Sequence, residues 1–300
     1  MNKLDRRSFL AKSVAGMAVA SAIPMVFSQP VAASSIPEKV DTVALGKTGL
    51  NVSRIAFGTG TKGWKIESDQ TRLGMKNFVE LSQYGFDRGI RFFDTADMYG
   101  SHPYVGAALK VIPREKVTIL TKVMTYGHEG WYQTEPFAKS FDRFRKDLGT
   151  DYLDILLLHC MMNGQWATEY KQSYMDGLSE AKQKGLIKAV GISCHSLEAM
   201  VEAASNPWVD VLFARINHNG ARMDGTPEKV MQVLETARKN GKGIIGMKIF
   251  GCGDLVRENE REASLNYVIK SGNVHCMTLG MTTREQMDDN ISRVMRIAKS

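Results

Sequence analysis

The sequence predicts an α/β fold, a (β/α)8 TIM barrel preceded by a short N-terminal β-hairpin. Eight apolar runs recur along the chain, each with the length of a buried parallel strand. They are spaced roughly 25 to 35 residues apart, which leaves room for a helical crossover after each strand. Polar side chains follow several runs, at the point where a barrel places the carboxyl ends of its strands.

A small hairpin is the first predicted element, within residues 40–58. Gly46 and Gly49 mark a turn there, and the residues on both sides of the turn alternate between apolar and polar types. The first core strand is predicted directly afterwards, at residues 53–57. The hairpin is therefore expected to precede the barrel without belonging to it.

The other seven predicted strands are apolar runs of similar length. They lie at residues 90–94, 117–122, 152–159, 187–193, 209–216, 243–248 and 274–279. The stretches between them have the pattern of amphipathic helices. Residues 136–148 show this clearly, with three phenylalanines at helical spacing, and Gly149 is a typical helix stop.

A doubly wound open sheet is the alternative fold. Such sheets usually carry a Gly-x-Gly-x-x-Gly motif between the first strand and the first helix. Gly58, Gly60 and Gly63 have this spacing here, but the chain continues into Trp64 and Lys65 instead of a helical pattern. The pattern therefore favours the barrel.

Residues 1–33 have the organisation of a twin-arginine export signal. Arg6 and Arg7 lead a basic segment, a weakly apolar stretch follows, and small residues close the segment. This pattern predicts export in the folded state by the twin-arginine translocation machinery, and a periplasmic barrel formed by residues 34–300. An uncleaved anchor or a disordered tail is the alternative.

The amino-acid composition limits the classes of protein to which this chain can belong. With 43% hydrophobic residues and no uninterrupted apolar run of membrane-spanning length, the chain is expected to be globular, without a stable membrane span. Beyond residue 33 it has 35 basic and 31 acidic residues, an excess too small to indicate a nucleic-acid partner. The cysteines lack the spacing of a metal site or a disulfide framework, so neither is predicted. They are Cys160, Cys194, Cys252 and Cys276.

Side chains with catalytic chemistry lie after three consecutive strands. Asp94 and Tyr99 follow the second strand, Lys122 ends the third and His159 ends the fourth. An ammonium beside a phenol favours the phenolate and lowers its pKa, while a carboxylate keeps the ammonium charged and in place. An imidazole can orient a substrate oxygen by a hydrogen bond. The pattern predicts Tyr99 as a proton donor and leaves Asp97 as a loop or cap residue.

The chain resembles the aldo-keto reductase family in four segments. They read LGKTGLNVS (45–53), FFDTADMYG (92–100), ILTKV (119–123) and DILLLH (154–159). The resemblance implies an NAD(P)H-dependent oxidoreductase that transfers hydride between nicotinamide and a carbonyl or alcohol, such as an aldehyde, ketone or sugar. It also implies Tyr99 as general acid or base, Lys122 and Asp94 as its partners, and His159 as the orienting residue.

The resemblance further implies a set of cofactor contacts for NADP(H), with NAD(H) not excluded. Residues 279–290 resemble the loop and helix that bind the adenosine phosphate, and residues 191–196 resemble the loop that contacts the nicotinamide carboxamide. Cys194 stands where the family commonly has Asn. The expected contacts are Gly60, Thr61, Ser193, Arg215, Lys248, Gly280, Thr282, Gln286 and Asn290.

Two further expectations concern the substrate and the role of the protein. Aromatic and thioether side chains in strand-following loops are candidate walls of a substrate pocket, with plain loop packing as the alternative. They are Trp64, Trp131, Trp166, Met161 and Met162. The unusual Cys194, Arg215 and Lys248 leave a second hypothesis, a catalytically weak nucleotide-binding redox sensor or regulatory module on the same barrel. An exported enzyme is also expected to retain its cofactor tightly.

Overall fold

The computed structural model describes residues 38–300. The predicted export signal, residues 1–33, lies outside this range. Two short strands, β1 (Thr42–Ala44) and β2 (Asn51–Ser53), form an antiparallel hairpin. The predicted hairpin is therefore confirmed. It packs at the amino-terminal end of the barrel, where the Leu45 side chain contacts Gly243.

Eight parallel strands close into a barrel. They are β3 (Ile55–Gly58), β4 (Phe92–Asp94), β5 (Thr118–Met124), β6 (Leu153–Met161), β7 (Ile187–Cys194), β8 (Val211–Arg215), β9 (Gly243–Met247) and β10 (Cys276–Gly280). The last strand pairs with both β9 and β3, which closes the sheet. All eight predicted strands are confirmed, and the open sheet is wrong. Most strand ends differ from the predicted bounds by one or two residues, and Ser53 ends the hairpin instead of beginning β3.

Helices surround the barrel. They are α1 (Gly74–Asp87), α2 (His102–Ala108), α3 (Phe137–Leu148), α4 (Trp166–Glu169), α5 (Asp176–Gln183), α6 (Leu197–Ser205), α7 (Pro227–Lys239), α8 (Glu258–Lys270) and α9 (Arg284–Lys299). The helix predicted at residues 136–148 is confirmed as α3, which begins one residue later, at Phe137, and is stopped by Gly149, whose φ of 63° is left-handed. Among the described residues, no helix is both long enough and apolar enough to cross a bilayer.

Alternation along each strand decides which side chains enter the barrel. On β8, Val211 and Phe213 point into the barrel, whereas Leu212 and Ala214 pack in the layer between sheet and helices. Arg215 continues the inward series and therefore points into the mouth at the carboxyl end. The same alternation brings Asp94 after Phe92, Lys122 after Leu120, and His159 after Leu157 into the mouth.

Candidate active site

Asp94 and Lys122 form a buried ion pair at the mouth. The ammonium of Lys122 donates hydrogen bonds to Asp94 Oδ1 and, at 2.8 Å, to the carbonyl of Thr95. The second carboxylate oxygen of Asp94 accepts a hydrogen bond from Thr278 Oγ1 at 2.8 Å. Lys122 is fully buried, and burial lowers its pKa while Asp94 opposes the change. Thr278, on β10, was not predicted, because nothing in its local sequence indicates a contact with Asp94.

Tyr99 ends a single 3₁₀ turn, Asp97–Tyr99, that follows β4. Its ring packs directly on two glycines: a Cβ on Gly60 would lie 2.2 Å from a ring carbon, and one on Gly63 would lie 2.6 Å away. Lys122 Nζ is 5.1 Å from the centre of the Tyr99 ring. The ring of His159 is 5.6 Å away and nearly perpendicular. The structure therefore brings together Tyr99, Lys122, Asp94 and His159.

The pKa of Tyr99 differs from the sequence-based expectation. Burial and the nearby charge of Asp94 raise it well above the ordinary value for tyrosine. The ammonium of Lys122 is hydrogen bonded to Asp94 and to a backbone carbonyl. The net shift of the Tyr99 pKa in this structure is therefore opposite in direction to the expected lowering, and the role of Lys122 as a partner of Tyr99 stays a prediction. At neutral pH the Tyr99 hydroxyl is protonated and can donate a proton.

His159 is buried and neutral. Burial, followed by the charge of Lys122, lowers the pKa of its imidazole well below the usual range. Its Nδ1 atom is buried without a hydrogen-bond partner in the described part of the chain. The centres of the His159 and His195 rings are 6.2 Å apart. The Cys160 thiol contacts His195 Nε2 at 3.5 Å. A neutral imidazole can donate one hydrogen bond without adding charge to the mouth.

A cavity of about 320 Å³ lies beside Tyr99 and extends toward the ends of β9 and β10. Its lining includes Asp94, Tyr99, Gly60, Thr61, Phe213, Lys248, Cys252, Thr278 and Gly280. A Cβ on Gly280 would lie 1.7 Å from Thr61 Oγ1, so only glycine fits there. Lys248 follows β9, its backbone φ is 57°, and its side chain is half-buried. Four expected cofactor contacts, Gly60, Thr61, Lys248 and Gly280, therefore lie on one cavity.

Ser193 and Arg215 lie at the ends of neighbouring strands at the mouth, outside the lining of this cavity. Ser193 is buried, and its Oγ has no hydrogen-bond partner among residues 38–300. Arg215 forms an ion pair with Asp224 at 2.9 Å, and burial raises the pKa of Asp224. The hydroxyl of Ser193 is thus available to a ligand, whereas the guanidinium of Arg215 already has an anionic partner.

The three remaining expected contacts lie in or just before α9. The backbone N–H and the hydroxyl of Thr282 both donate to the side-chain carbonyl of Gln286, at 2.8 and 3.2 Å, on the surface. Asn290 is buried and accepts a hydrogen bond from Arg261 at 2.9 Å. Each of these side chains therefore has a partner within the chain. Arg284, the nearby arginine, lies over the ring of Tyr84, 5.0 Å from its centre.

Aromatic rings from two loops form a wall next to Tyr99. His128 stacks on Trp131 with ring centres 4.7 Å apart, and Trp64 lies 4.8 Å from both. Trp64 is 47% exposed. Tyr126 contacts His128 at 5.3 Å and joins this wall to the residues around Tyr99. We call Trp64, Tyr126, His128 and Trp131 the aromatic wall.

Trp166 and Met161 are not pocket walls. Trp166 is fully buried, its indole N–H donates to the carbonyl of Ala199, and it packs against Trp208. Met161 is buried in the layer between sheet and helices. Met162, in contrast, is exposed. For the first two residues the alternative of plain packing is correct, because α4 directs Trp166 into the helical layer.

The four cysteines are free thiols. Burial raises the pKa of Cys160 to about 11, so its thiol is neutral at pH 7. Cys194 is buried as well, whereas Cys252 is exposed on the lining of the cavity. Within residues 38–300, no group of metal-binding side chains is placed to bind an ion.

Replacing Gly60 by Ala is expected to reduce both turnover and nucleotide affinity, each by at least about tenfold. The new Cβ would overlap the Tyr99 ring at 2.2 to 2.5 Å, so the ring must move. Steady-state kinetics and nucleotide titration measure the two effects. Gly164→Ala is the matched control, because its nearest neighbour would lie at an ordinary 3.6 Å. Unchanged kinetics for the Gly60 variant would contradict the tight packing.

Comparison with known proteins identifies similar sequences over most of the chain. The model of the aldo/keto reductase family matches residues 54–297. L-galactose dehydrogenase from Arabidopsis thaliana is 28% identical over 255 residues, which cover 81% of this chain and 77% of that protein. Methylglyoxal reductase DkgB from Salmonella typhi is 30% identical over 160 residues, 52% of this chain and 53% of that protein.

Solved structures also resemble the barrel. A putative aldo-keto reductase from Pseudomonas aeruginosa matches with a TM-score of 0.72 at 25% identity, over 87% of this chain and 97% of that chain. An aldo-keto reductase from Bacillus halodurans, in its holo form, matches with a TM-score of 0.67 at 20% identity, over 87% and 94% of the two chains. The second similarity concerns the fold alone.

Proposed function

Because the chain belongs to the aldo/keto reductase family of oxidoreductases, we propose that it transfers hydride between NAD(P)H and the carbonyl or alcohol carbon of a small molecule. The observation that carries this proposal is the convergence of Tyr99, Lys122, Asp94 and His159 at the mouth, beside a cavity with a glycine-rich lining. The names of two relatives, L-galactose dehydrogenase and methylglyoxal reductase DkgB, support carbonyl or alcohol chemistry of this kind.

The residues around the cavity fit a nicotinamide dinucleotide. Gly60 and Gly280 present backbone without a side chain to the lining, and Lys248 contributes a cation suited to a phosphate. The unpartnered hydroxyl of Ser193 suits a carboxamide. We therefore assign Gly60, Thr61, Ser193, Lys248 and Gly280 to the cofactor.

The other expected cofactor contacts would exchange internal partners for the ligand. Arg215 would leave or share Asp224, Gln286 would leave Thr282, and Asn290 would leave or share Arg261. NADP(H) is the proposed cofactor, with NAD(H) as the competing ligand. Titration of the protein with each nucleotide, with and without the 2′-phosphate, measures the preference.

When bound, the nicotinamide supplies or accepts the hydride. Tyr99 is the proton donor in reduction, since its raised pKa keeps the hydroxyl protonated until a substrate oxygen develops negative charge. Lys122 stabilises the charge that remains on the tyrosine oxygen, and Asp94 fixes the position of that ammonium. Neutral His159 donates a hydrogen bond to the same substrate oxygen, which orients the carbonyl.

A panel of aldehydes, ketones and sugars tests the function by the loss of NADPH absorbance. Reduction of any member at a rate above the protein-free control supports the proposal that the protein is an oxidoreductase. The redox sensor or regulatory module would be favoured if the protein binds the nucleotide tightly but neither reduces any member of the panel nor oxidises any of the matching alcohols. The aromatic wall beside Tyr99 favours substrates that present an apolar face, such as sugar or aromatic rings.

We also propose that residues 1–33 direct export through the twin-arginine pathway, with a tightly held cofactor acquired before export. Replacing Arg6 and Arg7 by Lys is expected to leave the protein in the cytoplasm, because the pathway reads the arginine pair. Cell fractionation and immunoblotting measure the distribution. Lys3→Arg, which keeps the pair and the charge, is the control. Equal periplasmic amounts of the double variant and the wild type would contradict the pathway.

A further inference from the structure

We propose that Asp97 is a positioning residue, which fixes the turn that carries Tyr99 by binding Arg143 and Tyr132 on the adjoining elements. This inference rests on the proposed role of Tyr99 as proton donor. Asp97 was expected to be a loop or cap residue. It begins the turn Asp97–Tyr99, but its side chain caps no backbone N–H there. The carboxylate is directed instead toward the neighbouring helix α3.

Both oxygens of the Asp97 carboxylate accept hydrogen bonds from side chains. Its side chain is only 3% exposed. Arg143 donates to both oxygens, at 2.7 and 3.1 Å, and the hydroxyl of Tyr132 donates to Oδ2 at 2.5 Å. A two-pronged arginine contact of this kind restricts both the position and the rotation of a carboxylate. Asp97 is therefore bound from two directions.

The rest of the turn has weaker anchors. Its backbone bonds are those of a single turn, from Tyr99 N to Ala96 O at 3.1 Å and from Gly100 N to Asp97 O at 3.3 Å. One backbone bond joins it to the preceding loop, from Ile66 N to Met98 O at 3.1 Å. A single turn has little stability by itself, because it closes few hydrogen bonds for the dihedral angles that it fixes.

The space around the anchor is not tightly packed. A cavity of about 300 Å³ is lined by Asp97, Gly100, His102, Tyr132 and Arg143. The ring of Tyr99 packs on Gly60 and Gly63 at one end of the turn. At the Asp97 end close packing does not confine the turn, and the hydrogen bonds of Asp97 are the restraint there. If they are lost, the turn has room to shift. A displacement of about 1 Å at a reacting group can lower a rate by about a hundredfold.

The same anchor connects Tyr99 to the aromatic wall. Arg143 also donates to Glu135 at 3.0 and 3.1 Å, and Glu135 ends the loop that follows β5. Tyr132 lies in this loop next to Trp131 of the wall. Arg143 thus binds both the turn that carries the proton donor and the loop that forms one side of the proposed substrate pocket. Asp97 sets the distance between them as well as the orientation of Tyr99.

Asp97→Asn tests the inference, with the amide retaining the size of the carboxylate. We expect kcat to fall by about 10- to 100-fold, while the nucleotide Kd changes by a smaller factor, because Asp97, Arg143 and Tyr132 do not line the cofactor cavity and Tyr99 does. Hydrogen exchange of the backbone amides at residues 97–100 should accelerate by about tenfold or more. Arg143→Lys, which retains one charged hydrogen bond, should recover most of kcat relative to Arg143→Met.

Asp142→Asn is the matched control, since it removes an exposed ion pair with Arg145 on the same helix and leaves Asp97 untouched. It should change neither kcat nor exchange. A folded Asp97→Asn protein with wild-type kcat, or with unchanged exchange at residues 97–100, overturns the inference. If the wild type reduces no carbonyl, the proposed function fails, and the exchange measurement alone then decides whether Asp97 anchors the turn.

Discussion

Replacing Tyr99 by Phe is expected to lower kcat by about 10²- to 10⁴-fold, the usual contribution of a general acid, while nucleotide affinity remains near that of wild type. The phenyl ring keeps the packing on Gly60 and Gly63 and the edge contact with His159, so only the hydroxyl is lost. Single-turnover reduction at saturating NADPH measures the chemical step. Fluorescence titration measures binding of the nucleotide.

Tyr104→Phe is the matched control for this substitution. Tyr104 lies on α2 outside the barrel, where its ring packs 5.4 Å from Phe78. Removing its hydroxyl should leave both turnover and nucleotide affinity unchanged. Undiminished turnover in Tyr99→Phe would exclude the tyrosine as the proton donor, whatever the other three residues contribute. Loss of nucleotide binding in the same variant would show that the hydroxyl, and not only the ring, contributes to binding of the nucleotide.

Replacing Lys122 by Met is expected to abolish turnover and to lower the free energy of unfolding by about 3–5 kcal/mol. The substitution leaves the carboxylate of Asp94 buried with only the hydroxyl of Thr278 as a side-chain partner. A buried charge without its counter-ion is strongly unfavourable. Urea denaturation measures the stability, and steady-state kinetics measure the activity.

A double-mutant cycle separates the two effects of Lys122. Asp94→Asn in the Lys122→Met protein should restore part of the stability, because it removes the uncompensated charge, but it should restore no activity. Lys188→Met is the control, since Lys188 is 47% exposed and its buried partner Asp154 keeps a second ion pair, with Arg114. It should change stability by less than about 1 kcal/mol. A similarly small loss for Lys122→Met would contradict the buried ion pair.

Much of the fold was predictable because the relevant signals are local. Apolar runs of strand length separated by helical patterns define the eight units, and closure of the barrel follows from their number. The boundaries of α3 were predictable because Pro136 and Gly149 act through their own backbone angles. Period-two alternation also places Asp94, Lys122 and His159 inside the barrel once the strands are known.

The roles of other residues depend on partners that are distant in the sequence. Asp97 looks like a cap from its neighbours, yet Arg143 on another element makes it an anchor. Arg215 stands where a cofactor contact was expected, yet Asp224 in the following loop pairs with it. Trp166 follows a strand as a pocket wall would, yet it is buried among helices. No local pattern distinguishes these outcomes.

By itself, the sequence determined the (β/α)8 architecture, the hairpin and the group of polar side chains at the mouth. Hydrophobic period, turn residues and strand alternation act over a few residues and can be read directly from the chain. Only the tertiary structure established the direction of the Tyr99 pKa shift, the hydrogen bond from Thr278 to Asp94 and the pairing of Arg143 with Asp97. These properties depend on burial and on distances between side chains, which only the folded chain establishes.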